Sequence, residues 1–593
     1  MTVFVTLLCL LGYAVGYRFY SRYLAQRVFS LDARRVTPAH ALRDEVDYVP
    51  TGRYVLFGHH FASITGLSPM LGPAVAVIWG WAPALLWVVL GALFVGCVHD
   101  FGALVVSMRA RGQSIGKVTE GIVGRRAKSL FHLVIFFGIA LAMGVFVYVI
   151  AVLFSISESW DPVDPMADPS SFPTAVLPSA ALILIALVAG HLLYRRGARV
   201  TPVAAVGFVL MLAAVWGGIR FPLLWSTVES WPGRGTWIVL LLGYALVASI
   251  LPVWSLLQAR DFLNSLLLYL GLAGAYVGLL VSRPEFAAPA FRPDPEGAPG
   301  ILPFVFIIIA CGAASGFHSL VSSGTTAKQI GAEPDARFIG YGGMIGESLL
   351  GLLAVLACTA GVLGRDGLAP AEVWERSYSG WDAIQGLGNQ VGVFITGAAH
   401  FIEGLGVVDH RTAIAFVAVV VVSFALTTLD SATRLLRFNI SEIGETLGLR
   451  ILGNRYVASL MAVVVIALFA FYEIGGRPAG LALWALFGTT NQLLAGLALL
   501  VVSLYLYQRG RNAWVTAVPM AFMLVSTIVA MVGNLERFWG QWDEGGAVLF
   551  VVGAGLLVLA VWLTVEAVLR FLQIRREPRS SDLSIHFDGA DGG

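Results

Sequence analysis

Fifteen stretches of mostly apolar residues run through the chain, over 1–20, 62–79, 84–108, 130–155, 174–194, 200–217, 236–256, 264–282, 302–323, 338–363, 411–433, 456–474, 480–507, 513–533 and 546–570. A backbone N–H or C=O left unpaired in hydrocarbon is too costly to tolerate, so an apolar run of about 20 residues crosses a bilayer as a helix. Only 12% of the residues are charged and 58% are hydrophobic, against about 25% charged in soluble domains. The expectation is an all-α polytopic membrane protein with about 15 transmembrane helices. It forms one transmembrane domain over 1–574 with a polar, disordered tail over 575–593. The 38 Lys and Arg against 36 Asp and Glu leave a net charge of +2, which provides no basic field to recruit nucleic acid. Cys9, Cys97, Cys311 and Cys358 all lie inside apolar runs, without the spacing of a zinc or haem motif.

Basic residues are retained on the cytoplasmic side of a membrane. With the N-terminus outside, 29 of the 38 Lys and Arg fall inside and 9 outside, while 156–173 carries four acids and no base. This predicts a multi-pass inner-membrane protein with a periplasmic N-terminus and a cytoplasmic C-terminus. Parity then requires the Gly-rich segment 386–408, which holds His400 and Glu403, to be re-entrant or to lie on the outer surface. The first stretch lacks the basic n-region of a signal peptide and is read as a span.

Two spans carry helix breakers at mid-depth. One reads Ala62-Ser63-Ile64-Thr65-Gly66-Leu67-Ser68-Pro69-Met70-Leu71-Gly72-Pro73, and the other Cys311-Gly312-Ala313-Ala314-Ser315-Gly316-Phe317-His318. The topology makes them antiparallel, as in inverted repeats. A broken helix turns its dipole ends and freed backbone groups toward the gap, where an anion meets N–H groups. Close helix packing through small residues is the alternative reading.

Ionisable groups inside spans are expensive enough to suggest function. His59 and His60 precede the first break, Asp100 follows His99 in 84–108, His318 lies in the second break, and Glu347 is near mid-span in 338–363. Imidazole and carboxyl groups suit proton transfer. His132, His191 and Glu566 read instead as capping or interfacial groups. No zinc-protease spacing is present, and Gly112-Gln113-Ser114-Ile115-Gly116-Lys117-Val118 falls short of a P-loop, so no metal, cofactor or ATP site is expected and an ion gradient is left as the driving force.

Several strings taken together resemble the carbon starvation protein A (CstA) family. They are Asp47-Tyr48-Val49-Pro50-Thr51, Phe57-Gly58-His59-His60-Phe61, Val98-His99-Asp100-Phe101, Ser322-Ser323-Gly324-Thr325-Thr326-Ala327-Lys328-Gln329, Leu426 to Arg434 around Asp430, and Leu486 to Leu493 around Asn491. The resemblance spans about 47–500. It implies a bacterial inner-membrane permease for peptides or pyruvate under carbon starvation, with proton coupling in pyruvate members. By analogy it also implies the five-helix inverted-repeat core of amino acid-polyamine-cation transporters. In the simplest such core the broken helices stand five spans apart, whereas here they stand seven apart, which calls for two inserted spans or another pairing. His99 stands where many relatives are expected to have Gln.

The sequence therefore predicts a secondary transporter for a small organic acid or short peptide, set in the lipid bilayer and driven by protons, with sodium as the alternative ion. Gly66, Ser68, Gly72, Gly312, Ser315, Gly316, Thr325 and Thr326 are expected to bind substrate. His59, His60, Asp100, His318 and Glu347 are expected to handle protons, and Asp430 and Asn491 to line the pathway or a gate. The rival readings are an intramembrane metal- or haem-dependent enzyme and an uncoupled channel or sensor.

Overall fold

Each apolar stretch folds as helix, since only a helix pairs all of its backbone groups within one segment. The computed structural model describes residues 1–157, 160, 171–223, 226–365, 367–384, 387–474, 477–542, 546–576 and 585. Much of the acidic loop 156–173 and nearly all of the tail 575–593 lie outside the described residues. The first half contains α1 (Thr2–Val28), α2 (Arg53–Thr65), α3 (Ser68–Trp79), α4 (Trp81–Arg109), α5 (Arg125–Phe154), α6 (Pro173–Arg195), α7 (Val200–Arg220), α8 (Arg234–Ile250) and α9 (Leu257–Ser282). The second contains α10 (Ile301–Ile308), α11 (Gly316–Gly324), α12 (Arg337–Ala360), α13 (Leu387–Glu403), α14 (His410–Leu447), α15 (Arg455–Phe471), α16 (Trp484–Gln508), α17 (Trp514–Gly540) and α18 (Gly546–Ile574).

Among the described residues, 11 helices are long and apolar enough to cross a membrane unaided, or 12 when α2 and α3, bent by 46° at Gly66, count as one span. The expected count of about 15 is therefore not reached on length and composition. The difference has a physical cause: α8 and α15 are shorter apolar helices, and the stretch from Ile301 to Gly324 is interrupted between α10 and α11.

The longest helix, α14, forms the centre of the bundle, buried along nearly its whole length and packed against α5, α8, α9, α13 and α15. The outermost helices expose their apolar side chains, with Phe4, Val206, Val209 and Val551 each 60% exposed or more, the pattern of a lipid-facing surface. Helices α6 and α7 pack on each other and rest on α9 and α14. In the chain they fall between the two broken spans, where two additional spans are called for.

The two broken spans run antiparallel. His60 of α2 meets Thr326 just past α11, whereas Gly72 of α3 abuts Ile308 at the end of α10. Partner numbers fall in one span as they rise in the other. Within segment 386–408, Leu387–Glu403 forms α13, wedged among α3, α9, α12 and α14. Its Gly397 touches Ala357 in the last turn of α12, and Gly404 touches Ser282 at the end of α9. The middle and the C-terminal end of α13 thus lie at the end of the bundle where α9 and α12 both finish, an arrangement that fits a helix that does not cross.

Candidate functional site

Two helix breaks meet at the centre of the bundle. At Gly66 the backbone takes φ 49° and ψ −153°, a conformation open to glycine and barely to other residues. A Cβ there would also lie 3.0 Å from the Thr428 hydroxyl on α14. The second break is capped from outside: the Phe317 N–H, at the start of α11, donates to Asn491 Oδ1 at 2.9 Å. Asn491 in turn donates to Ser315 Oγ at 3.1 Å and Cys311 Sγ at 3.0 Å. Asn491, expected in a pathway or gate, thus holds the end of the broken helix, satisfying a backbone donor that the break has freed.

Between the breaks lies a narrow pocket of about 20 Å³, bordered by Gly66, Ser68, Cys311, Phe317, Thr428 and Asn491 among others. None of the residues lining it is charged. Through Ser68, Cys311, Phe487 and Asn491 it adjoins a cavity of about 1190 Å³, whose walls include Gly72, Phe304, Asp382, Gln390 and Arg537. Of the residues expected at a substrate site, Gly66 and Ser68 border the pocket, and Gly72 the cavity. Ser315 and Gly316 stand behind it against α16. Gly312 has only ordinary contacts, the nearest at 3.7 Å. Thr325, just past the end of α11, donates to the Val321 carbonyl, and Thr326 meets His60.

Two residues beyond Gly316, the His318 imidazole lies between two carboxyl groups. Its Nδ1 is 2.9 Å from Asp100 Oδ2 and its Nε2 is 2.9 Å from Glu347 Oε2. Asp100 Oδ1 is 2.7 Å from His99 Nδ1. All four side chains are fully buried, and they come from α4, α11 and α12. The structure thus brings together three of the five residues expected to handle protons, and adds His99. His59 and His60, adjacent on α2, face different partners: His60 Nδ1 is 2.9 Å from Thr326 Oγ1, and His59 Nδ1 is 2.7 Å from Asp261 Oδ2. Neither forms an ion pair with Asp100 among the described residues.

The partner of Asp430 was missed by sequence reasoning. Arg260 donates to Asp430 from both terminal nitrogens and to Asp261, and the Tyr244 hydroxyl also donates to Asp430. The available signal was the buried acid itself, which demands a cation. Arg260 and Asp261 lie just ahead of the apolar stretch 264–282, where they read as loop.

On the far side of the crossing from the cavity, before α2 and after α11, ion pairs close the bundle. Arg109 pairs with Glu333 at 2.8 Å and donates to the Tyr505 hydroxyl at 3.1 Å, Arg434 pairs with Asp47 at 2.9 Å, and Lys117 with Glu445 at 2.8 Å. Burial pushes the Asp47 carboxyl up, but Arg434, Lys328 and Arg437 outweigh it and hold the group below the usual carboxylate range. The molecule is therefore open at one end of the crossing and closed at the other. Among the described residues, no group of three or more His, Cys, Asp or Glu is arranged to hold a metal ion.

Comparison with known proteins places these features in a family. The model for carbon starvation protein CstA matches residues 1–368 and 375–530. The peptide transporter CstA of Campylobacter jejuni is 32% identical over 591 residues, covering 90% of this chain and 80% of its own. That of Helicobacter pylori strain J99 is 34% identical over 584 residues, covering 87% and 79%. The pyruvate/proton symporter BtsT of Escherichia coli K12 is 32% identical over 590 residues, covering 88% and 80%. Among solved structures, a looser likeness is to Mhp1, a nucleobase-cation-symport-1 family transporter, with a TM-score of 0.45 and 13% identity over 93% of this chain and 98% of that one.

Proposed function

The chain belongs to the carbon starvation protein CstA family, and from that premise we propose that it imports a small monocarboxylate, such as pyruvate, in symport with protons. The reading is of an inner-membrane carrier and not of an enzyme. The observation that carries it is the buried Asp100–His318–Glu347 centre, whose imidazole sits on α11, the short helix that borders the pocket through Phe317. A coupling group must change charge, be shielded from bulk water, and respond to whatever occupies the site. His318 is fully buried, touches two carboxyl groups and lies two residues beyond Gly316. Substrate entering between the breaks would press on the same short helix that carries the imidazole.

The pocket supports a monocarboxylate over a peptide. One carboxylate can be met by a hydroxyl such as that of Thr428, which lines the pocket without a hydrogen-bond partner among the described residues, whereas the ammonium of a peptide calls for an acidic partner, and none lines the pocket. Peptide uptake, named for several relatives, is the second reading. It is favoured by the 1190 Å³ cavity with Asp382 on its wall. Taken with the distribution of basic residues, the open end is periplasmic and the closed end cytoplasmic, so this is an outward-facing state. Counterflow in proteoliposomes tests the reading. Labelled pyruvate should enter vesicles preloaded with pyruvate, and external dipeptides should neither enter nor compete. Entry of dipeptide with exclusion of pyruvate would overturn it.

A further inference from the structure

We propose that the group formed by His59, Asp261, Arg260 and Asp430 is a second proton-binding centre, so that each cycle carries two protons with one monocarboxylate. The inference rests on the proton-coupled reading above and adds a site to it. The four side chains are at most 1% exposed. The single Arg260 guanidinium serves two carboxylates, reaching Asp261 Oδ1 at 2.7 Å and Asp430 Oδ1 at 2.8 Å. A guanidinium keeps its charge in proteins, which leaves the group one positive charge short of neutral. A buried excess charge costs several kcal/mol. The imidazole of His59, with Nδ1 at 2.7 Å from Asp261 Oδ2, is placed to supply that charge by taking a proton.

The surrounding groups do not remove the deficit. From α2 come His59 and the Ser63 hydroxyl, which donates to Asp261 Oδ2 at 3.2 Å. From α8 comes the neutral Tyr244 hydroxyl, which donates to Asp430. From α14 comes Arg434, one turn beyond Asp430, already paired with Asp47 at 2.9 Å beside Arg437 and Lys328. Past α11, the amide of Gln329 lies 3.4 Å from His59 Nε2. His60, the neighbour on α2, turns away to Thr326.

The centre is distinct from that of His318. It is built on α2, α9 and α14, and the other on α4, α11 and α12. Among the described residues no hydrogen bond or ion pair joins the two. Both are short of fixed positive charge: the His318 group holds two carboxyl groups and two imidazoles, with no Lys or Arg in ion-pair contact among the described residues. Helix α2 ends at the Gly66 break, and two of its side chains, His59 and Ser63, reach the same oxygen of Asp261. A tilt of α2 would release both contacts together, which ties the geometry of the group to conformation, as coupling requires.

The charge carried decides the matter. One proton with a monocarboxylate is electroneutral, whereas two protons carry one positive charge inward. The full chain is reconstituted in proteoliposomes at equal pH on both sides, and an inside-negative potassium diffusion potential is imposed with valinomycin. The wild type should accumulate labelled pyruvate about tenfold per 59 mV. Asp261→Asn, which makes the group neutral without a proton, should lose this response and still accumulate pyruvate under a pH gradient. His59→Gln should behave in the same way. A wild type that responds to the pH gradient but not to the potential would overturn the second centre, whether or not the variants assemble. So would an assembled Asp261→Asn that keeps the full response to potential. No pyruvate uptake under either gradient would instead overturn the function on which this rests.

Discussion

Gly316→Ala is a small chemical change at the second break for which the structure predicts a large effect. The new methyl carbon would lie 2.3 Å from the Asn491 carbonyl oxygen, 2.3 Å from Leu494 Cβ and 2.5 Å from the Ala495 nitrogen, where ordinary contact begins near 3.4 Å. Two of these atoms are backbone, so no rotamer change relieves the clash, and α11 and α16 must separate by about 1 Å. Overpacking of this kind costs about 1–3 kcal/mol. The same shift stretches the 2.9 Å bond from Phe317 N–H to Asn491, worth about 1 kcal/mol. The expected destabilisation is thus about 2–4 kcal/mol, read as a fall of several degrees in the apparent Tm of the detergent-solubilised protein. Because His318 lies two residues further on, uptake by the protein that does assemble should fall about tenfold or more, misplacements of 1 Å being costly where geometry is tight. Gly312→Ala is the control: its Cβ would meet nothing closer than 3.7 Å, and its Tm and uptake should stay near wild type. Equal damage at the two positions, or none at Gly316, would refute the reasoning.

Asp100→Asn keeps the shape of the His318 centre and removes its charge. Accumulation under a one-unit pH gradient should drop by about tenfold, the worth of one proton, while pyruvate counterflow persists. Asp47 supplies a pH dependence. Its carboxyl is held below the usual range, so its ion pairs stabilise the fold at neutral pH, above the unfolded value of about 3.9, and that contribution disappears as pH falls through the lower native value. Asp47→Asn should therefore lower the Tm at pH 7, and its difference from wild type should shrink progressively as pH falls below about 3.9. Orientation is tested by single cysteines introduced at the exposed positions 227 and 449, with the four native cysteines buried. A membrane-impermeant maleimide should label 227 in intact cells and 449 only after permeabilisation.

Features written in consecutive residues were legible before the structure. Apolar runs located the helices, and Gly66 and Gly316 marked the two breaks, because a helix that stops in mid-membrane leaves its cause in the local sequence. Asp100, His318 and Glu347 were recognisable one at a time as costly buried groups, but their meeting required three helices to be placed. What stayed hidden depends on direction and long-range pairing. His59 and His60 are neighbours in sequence, yet successive residues on a helix point about 100° apart, and they serve different partners. Arg260 and Asp261 read as loop because the apolar run begins only after them, although α9 has already started at Leu257. Asn491 had the polarity expected of a pathway residue, and only the approach of α16 to the start of α11 reveals it as a cap. The count of about 15 spans is not matched by length and hydropathy where a helix is short or broken, since those measures then no longer describe a single rod.

Accumulation of labelled pyruvate against its own gradient, in proteoliposomes holding the full chain, tests the central claim most directly. With an inside-alkaline pH gradient and choline in place of sodium, pyruvate should rise above its external concentration and fall back when a protonophore is added. Mere equilibration, or accumulation only when sodium is restored, would contradict a proton-driven carrier for a small monocarboxylate.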